Sequence, residues 1–184
     1  MLAITSLLDL KHCDLVNGII QDFEKEFGLK QVQATPMPHI TFLVAETYNL
    51  SMLKNYLLRL CHGVQPLHAY TTGIGVFPGE HPVIYIPVLR TQPLNKLHSQ
   101  LYQDVSKMSI QVGPYYKPKL WLPHISLAVG DTSPDMMTPI FQYLAHYSFD
   151  WEIVLDNLSL FQESTNGRSF EKESSYMLAN KILT

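Results

Sequence analysis

A five-residue phrase occurs twice in this chain, as Pro38-His39-Ile40-Thr41-Phe42 and as Pro123-His124-Ile125-Ser126-Leu127, 85 positions apart. Alternating polar and apolar residues after a proline read as a half-buried strand, because side chains of an extended chain point to its two faces in turn. His39 and Thr41 then share one face while Ile40 and Phe42 bury on the other. Taken alone, either copy reads equally well as an ordinary edge strand. Recurrence of a histidine followed by a small hydroxyl on the polar face is what a purely structural role leaves unexplained. Two such strands facing each other set two imidazoles and two hydroxyls around one cleft, one imidazole to take a proton and one to give it.

The repetition extends along the chain. An apolar strand at Leu2–Leu8 is followed by a helix with Leu15, Ile19, Phe23 and Phe27 at helical spacing. The first pentad comes next, then a helix around Leu53, Leu57 and Leu60 ended by Gly63, and a strand over Thr72–Phe77. The second half runs in the same order. It has a strand at Val83–Leu89, a helix carrying Leu94, Leu97, Leu101, Val105 and Met108, and the second pentad. A helix within Ser133–His146 and a strand at Asn157–Phe161 follow. From His39 to Phe77 is 38 residues, and from His124 to Phe161 is 37.

This spacing predicts an α+β fold of two pseudo-symmetric lobes built from a duplicated β-α-β-α-β unit. Antiparallel-rich sheets line a central cleft and helices lie outside. The whole of 1–184 is expected to be one bilobal unit, with repeats over about 1–80 and 81–163. A last strand is expected at Ser175–Ile182, after a polar loop from Gln162 to Ser174. In the helix after the second pentad, Pro134 and Pro139 compete for a first-turn position, and Ser133 and Thr138 compete as N-cap.

With 46% hydrophobic and 16% charged residues, the 184-residue chain has a globular composition. Its longest apolar run, Val83–Leu89, is too short to cross a bilayer, and the start reads as a first strand with no secretory leader. A cytoplasmic monomer with no membrane partner is the expectation. A net charge of −3 excludes a protein that coats long nucleic acid by charge alone, but suits a small or terminal phosphate. Cys13 and Cys61 have no ligand spacing, and neither pentad has a neighbouring carboxylate or second histidine to complete a metal site. No metal and no cofactor are expected.

The paired motifs, in a duplicated unit of this size, resemble the 2H phosphoesterase superfamily, in particular its 2′-5′ RNA ligase-like and cyclic phosphodiesterase members. The strand Gly73–Phe77, Pro78 and the Val83–Leu89 strand are also similar. The resemblance implies that His39 and His124 are acid and base and that Thr41 and Ser126 hold the phosphate. It implies a nucleotide or RNA end as partner, carrying a 2′,3′-cyclic phosphate opened to a 2′-phosphate, or else a 2′-5′ linked or cyclic oligonucleotide. A nucleotide-binding module with little turnover is the third reading. One departure concerns the residues after the second motif, where Ala128, Val129 and Gly130 follow Leu127 in place of the arginine frequent in the bacterial RNA ligase-like enzymes.

The chemistry suits these residues. Opening a cyclic phosphate needs a base for water and an acid for the departing ribose oxygen, and imidazoles with a pKa near 6.5 serve as both. The hydroxyls donate to non-bridging oxygens. The segment Tyr115–Trp121 leads into the second pentad, and two roles are open to it. Tyr116, Lys119 and Trp121 form the wall of a nucleotide site, or the aromatics are packing residues and the lysines surface. Phe77 and Phe161, at equivalent repeat positions, are expected in the core, the other six histidines mostly on the surface or at helix ends, and Arg168 and Lys172 in a solvated loop.

Overall fold

The computed structural model describes residues 1–35, 37–47, 49–165, 167 and 169–179. The chain begins with β1 (Leu2–Leu7) and then α1 (Leu10–Phe27). The Asp9 carboxylate accepts from the His12 backbone N–H at the start of that helix, and Gly28, at φ 74°, closes its end. A 3₁₀ turn at Gln31–Ala34 leads into β2 (His39–Thr47). Next come α2 (Leu50–Gly63), β3 (Leu67–Tyr70), β4 (Gly75–Phe77) and β5 (Val83–Pro87). They are followed by α3 (Gln92–Ser106), β6 (Ser109–Val112), β7 (His124–Ala128) and α4 (Met137–Leu144). The described chain ends with β8 (Glu152–Leu155), β9 (Asn157–Glu163) and β10 (Phe170–Met177).

Among the described residues these strands form three antiparallel sheets, in the orders β10-β9-β1-β2-β6, β4-β5-β7 and β3-β8. The helices lie at the periphery: α1 packs against β7, α3 against β2, and α2 against β9 and β10. This is the expected mixed fold of antiparallel sheets and outer helices. In β1–β2, Leu7 lies opposite His39 and Thr5 opposite Thr41. In β5–β7, Pro87 lies opposite His124 and Tyr85 opposite Ser126. Both ladders shift register at the same place, between Ile4 and Thr5 and between Ile84 and Tyr85. The residues passed over are Phe42 and Leu127, both fully buried. On the other edges, Phe161 lies opposite Ala3 and Ser159 opposite Thr5, while Phe77 lies opposite Val83 and Gly75 opposite Tyr85.

Several boundaries differ from the sequence reading. Strand Thr72–Phe77 is interrupted at Gly73, leaving β4 as its second half, and β3 precedes it. Strands β3, β6 and β8 have four residues each, too few for a clear alternation. The last strand begins at Phe170, five residues before Ser175. The polar stretch is half of a hairpin with β9, in which Phe170 pairs with Glu163. Its charges gave it the look of a loop because an edge strand keeps them in water. Residues 180–182 of that expected strand, and Arg168, lie outside the described residues. The two competing prolines are accommodated separately: Pro134 opens a 3₁₀ turn and Pro139 falls in the first turn of α4. Neither Ser133 nor Thr138 makes a side-chain cap. On α1 the inward residues are Val16, Ile19, Ile20 and Phe23, whereas Leu15 faces out at 42% exposure.

Beyond Thr5 the β1–β9 ladder continues through a side chain. The Leu7 N–H donates to Asn157 Oδ1 at 3.0 Å, and Asn157 Nδ2 donates to the Leu7 carbonyl at 3.0 Å. Asn157 thus replaces a backbone partner for the residue that faces His39. Asn157→Ala leaves both buried Leu7 groups unpaired, at about 1–3 kcal/mol for an unsatisfied group. The expected loss is about 2–3 kcal/mol in urea denaturation, and a loss below about 0.5 kcal/mol would show that Leu7 finds other partners.

Candidate active site

The alternation predicted for the pentads is present in both strands. Ile40, Phe42, Ile125 and Leu127 are fully buried, and His39, Thr41, His124 and Ser126 are half-buried on the opposite faces. β2 and β7 pack against each other although they belong to different sheets. His39 and Ser126, one from each pentad, line one cavity of about 240 Å³.

Both histidines are held in the same way. His39 Nδ1 lies 2.7 Å from the Met37 carbonyl, and His124 Nδ1 lies 2.7 Å from the Leu122 carbonyl. A carbonyl only accepts, so Nδ1 carries the proton in each ring and Nε2 is the nitrogen left to exchange one. Burial lowers the pKa of both below the ordinary histidine value. The Met37 and Leu122 carbonyls act in the opposite sense, and for His39 the positive charge of a protonated His124 adds a further lowering. A charged His124 thus opposes a second proton on His39, an arrangement suited to one neutral and one charged imidazole.

Aromatic rings fix the imidazole planes. Phe161, fully buried, stacks on His39 with centroids 5.8 Å apart. Phe77 meets His124 edge-on at 5.2 Å and stacks on Tyr85 at 4.2 Å. Tyr85 itself lies 5.2 Å from His124. It fits because position 75 is glycine: a Cβ there would come within 2.6 Å of the Tyr85 ring. Phe161 is in the core as expected. Phe77 is instead half-buried and forms part of a cavity wall.

That second cavity, of about 510 Å³, adjoins His124 and is bounded by Phe77, Pro78, Tyr115, Tyr116, Leu120, Trp121 and Leu122. The Tyr116 side chain is half-buried there, and burial raises its pKa. Lys119 is exposed and lies away from both cavity linings. Trp121 is 2% exposed, and its indole N–H donates to the Thr41 carbonyl at 3.0 Å. That indole N–H holds the first motif's strand, while Trp121 is also among the residues that line the cavity.

Behind Trp121 lies a residue the sequence reading placed at the surface. His98 is fully buried on α3, its ring parallel to the Trp121 indole at 3.9 Å. Neither ring nitrogen makes a well-formed hydrogen bond. Burial, aided by the charge of Arg90, brings its pKa down to about 4, against the opposing Tyr116 and Phe42 backbone groups. His12 is also buried, its Nδ1 2.7 Å from Asp9 Oδ1. A histidine at the apolar stripe positions of a helix, as His98 is beside Leu94, Leu97 and Leu101, was the available signal.

Val32, Gln33, Thr35, Met37 and Pro38, before β2, line the smaller cavity, and the start of this segment is tied to the residues after β7. The Asp131 carboxylate accepts from the Lys30 and Gln31 backbone N–H groups at 2.5 and 2.8 Å. The Gln31 side chain lies against Gly130, at φ 84°, where a Cβ would meet it at 2.5 Å. Among the described residues no three of His, Cys, Asp and Glu come together as a metal site.

A fold of antiparallel sheets with one histidine-hydroxyl strand from each half defines a class of phosphoesterases. The model of the 2′-5′ RNA ligase superfamily matches residues 12–167. The chain belongs to that superfamily, among the 2H phosphoesterases. A Staphylococcus epidermidis protein bearing a phosphoesterase name is 25% identical over 131 residues, 70% of this chain and 73% of that one. The crystal structure of TT0787 of Thermus thermophilus superposes with a TM-score of 0.66 at 18% identity, over 98% of each chain. Escherichia coli LigT complexed with 3′-AMP gives 0.59 at 14% identity, over 97% of this chain and 98% of LigT. These two structures share the fold.

The buried histidines set how stability responds to acid. Above pH 6.5 His98 is neutral folded or unfolded. As pH falls through 6.5 the unfolded chain takes up the proton first, so stability declines until about pH 4, where the folded protein takes it up too. The expected loss from His98 is on the order of 3 kcal/mol across that window, and His39 and His124 act in the same direction. His98→Phe keeps a ring against Trp121, and urea denaturation from pH 7 to 4 is expected to show a distinctly shallower decline. An unchanged slope would remove His98 as its source.

Proposed function

We propose that the chain is a metal-independent phosphodiesterase that opens a 2′,3′-cyclic phosphate, on a nucleotide or RNA end, to a 2′-phosphate by paired-histidine acid–base catalysis. The observation that carries this reading is the matched placement of the two motifs. Each histidine sits at the same register position of its ladder, with Nδ1 tied to the carbonyl two residues earlier. The equal registers and equal irregularities also support one β-α-β-α-β unit used twice.

In this mechanism one neutral imidazole takes a proton from water as its oxygen bonds to phosphorus. The other, protonated, gives its proton to the ribose oxygen as that P–O bond breaks. Thr41 and Ser126 donate to the non-bridging oxygens, where charge builds. The apolar cavity beside His124 takes the base against Phe77 and the tyrosines, Tyr116 among them, and Lys119 stands outside as an attracting charge.

His39→Ala and His124→Ala are each expected to lower turnover by about 10²–10⁴, the range for one lost acid or base, with less than additive loss together. Thr41→Ala and Ser126→Ala are expected to cost about 10–10³. Near-normal kcat in either histidine variant, with native circular dichroism, would refute the assignment.

Because burial lowers both histidines, the bell-shaped kcat/KM profile of the free enzyme is expected to centre below about pH 6.5. Activity is expected to survive excess EDTA. Phosphorus NMR of the product from 2′,3′-cyclic AMP is expected to show the 2′-phosphate. A profile centred above about pH 7, or loss of activity on chelation restored by one divalent ion, would contradict the mechanism.

A further inference from the structure

The turn at 117–122 serves both motifs at once. Its Leu122 carbonyl accepts from His124 Nδ1, and its Trp121 indole N–H donates to the Thr41 carbonyl. The turn closes on itself, since the Leu120 and Trp121 backbone N–H groups both donate to the Lys117 carbonyl, at 2.8 and 2.9 Å. From the interior, His98 stacks on the indole. From solvent, Arg90 grips the same turn. It donates Nη2 to the Pro118 carbonyl at 2.7 Å, and its guanidinium carbon lies 5.8 Å from the centre of the Trp121 ring.

Arg90 is itself set in place. Its Nε donates to Asn95 Oδ1 at 2.9 Å, and Asn95 Nδ2 donates back to the Arg90 carbonyl at 3.1 Å. It lies between the end of β5, at Pro87, and the start of α3, at Gln92. Two residues before it, the Val88 N–H donates to the Pro123 carbonyl at 3.0 Å, directly ahead of His124. The planar guanidinium fork makes its bonds to α3 and to the turn together, which a single ammonium does less well. Arg90 is exposed and lines neither cavity, so it acts on the turn and not on the reacting atoms.

We infer that Arg90 is a positioning residue: by pinning the turn it holds the Leu122 carbonyl on His124 and the Trp121 indole on Thr41. Its effect on turnover rests on the paired-histidine reading, whereas its effect on the His124 ring is independent of any substrate. Once the turn is released, the Leu122 carbonyl no longer fixes the proton on Nδ1, and the neutral ring divides between its two tautomers. Nε2, the nitrogen that exchanges a proton in the reaction, is then in the wrong state or orientation in part of the molecules. The strand of Thr41 loses its support in the same event. A charge that only drew phosphate in from a distance would raise KM on removal and leave kcat as it was.

The test uses Arg90→Leu and Arg90→Lys in the full chain, with thermal melting to show that each folds. With 2′,3′-cyclic AMP as substrate, Arg90→Leu is expected to lower kcat by about fivefold or more, a small misplacement of reacting groups being enough for such a loss. Arg90→Lys keeps a donor for the Pro118 carbonyl and is expected to regain about half or more of the wild-type kcat. In long-range proton–nitrogen spectra at about pH 8, where the rings are neutral, wild-type His124 is expected in the Nδ1–H tautomer. Arg90→Leu is expected to show the Nε2–H form as well, with the His39 signals unchanged. A smaller fall in kcat, a lysine variant short of that recovery, or His124 signals identical to the wild type's would overturn the proposal. If the wild type does not turn over 2′,3′-cyclic AMP, the substrate reading fails, and the His124 tautomer in the two variants decides the proposal alone. If Arg90→Leu does not fold, Asn95→Ala, which unties the guanidinium from α3, takes its place in both measurements.

Discussion

The exchange of strands between the two halves of the chain is the constraint on which the cleft depends. β9, from the second half, completes the ladder on β1, and β4, from the first half, completes the one on β5. β2 and β7 are neighbours in different sheets, each bringing one histidine-hydroxyl face. The side-chain clamp from Asn157 to Leu7 extends the same pairing to the residue opposite His39.

The packing around the two imidazoles is matched in plan and different in detail. Each ring rests against a phenylalanine from the exchanged strand, Phe161 or Phe77. Opposite Thr5 stands Ser159, whereas opposite Tyr85 stands Gly75, whose missing Cβ lets the tyrosine ring reach His124. Tyr85 thus joins Phe77 against His124, and Tyr115, Tyr116 and Trp121 add to the aromatic cavity on that side. On the His39 side, α1 and the loop tied to Asp131 supply amides and a hydroxyl. Burial then favours the neutral form of both rings.

The motif residues were legible because their signal is local. A strand's period of two places His39 with Thr41 and His124 with Ser126 whatever surrounds them, and the long helices carry their stripes in the same way. The short strands β3, β6 and β8 were not legible, since four residues bury too little surface to impose a pattern. β10 was hidden for the opposite reason, its polar residues being compatible with an edge strand only once β9 is beside it.

What the sequence alone determined, then, is the pair of histidine-hydroxyl faces and the order of elements that repeats around them. Tertiary structure decided the rest of the site. Trp121 became a support for Thr41 through its indole N–H, and His98 a buried neutral ring beneath it. Asn17 and Gln21 were brought to His39 from a helix that precedes it in the chain. The physical reason is that period and capping act between residues a few positions apart, whereas the surroundings of a cavity are set by contacts between elements far apart in sequence, which local patterns do not encode.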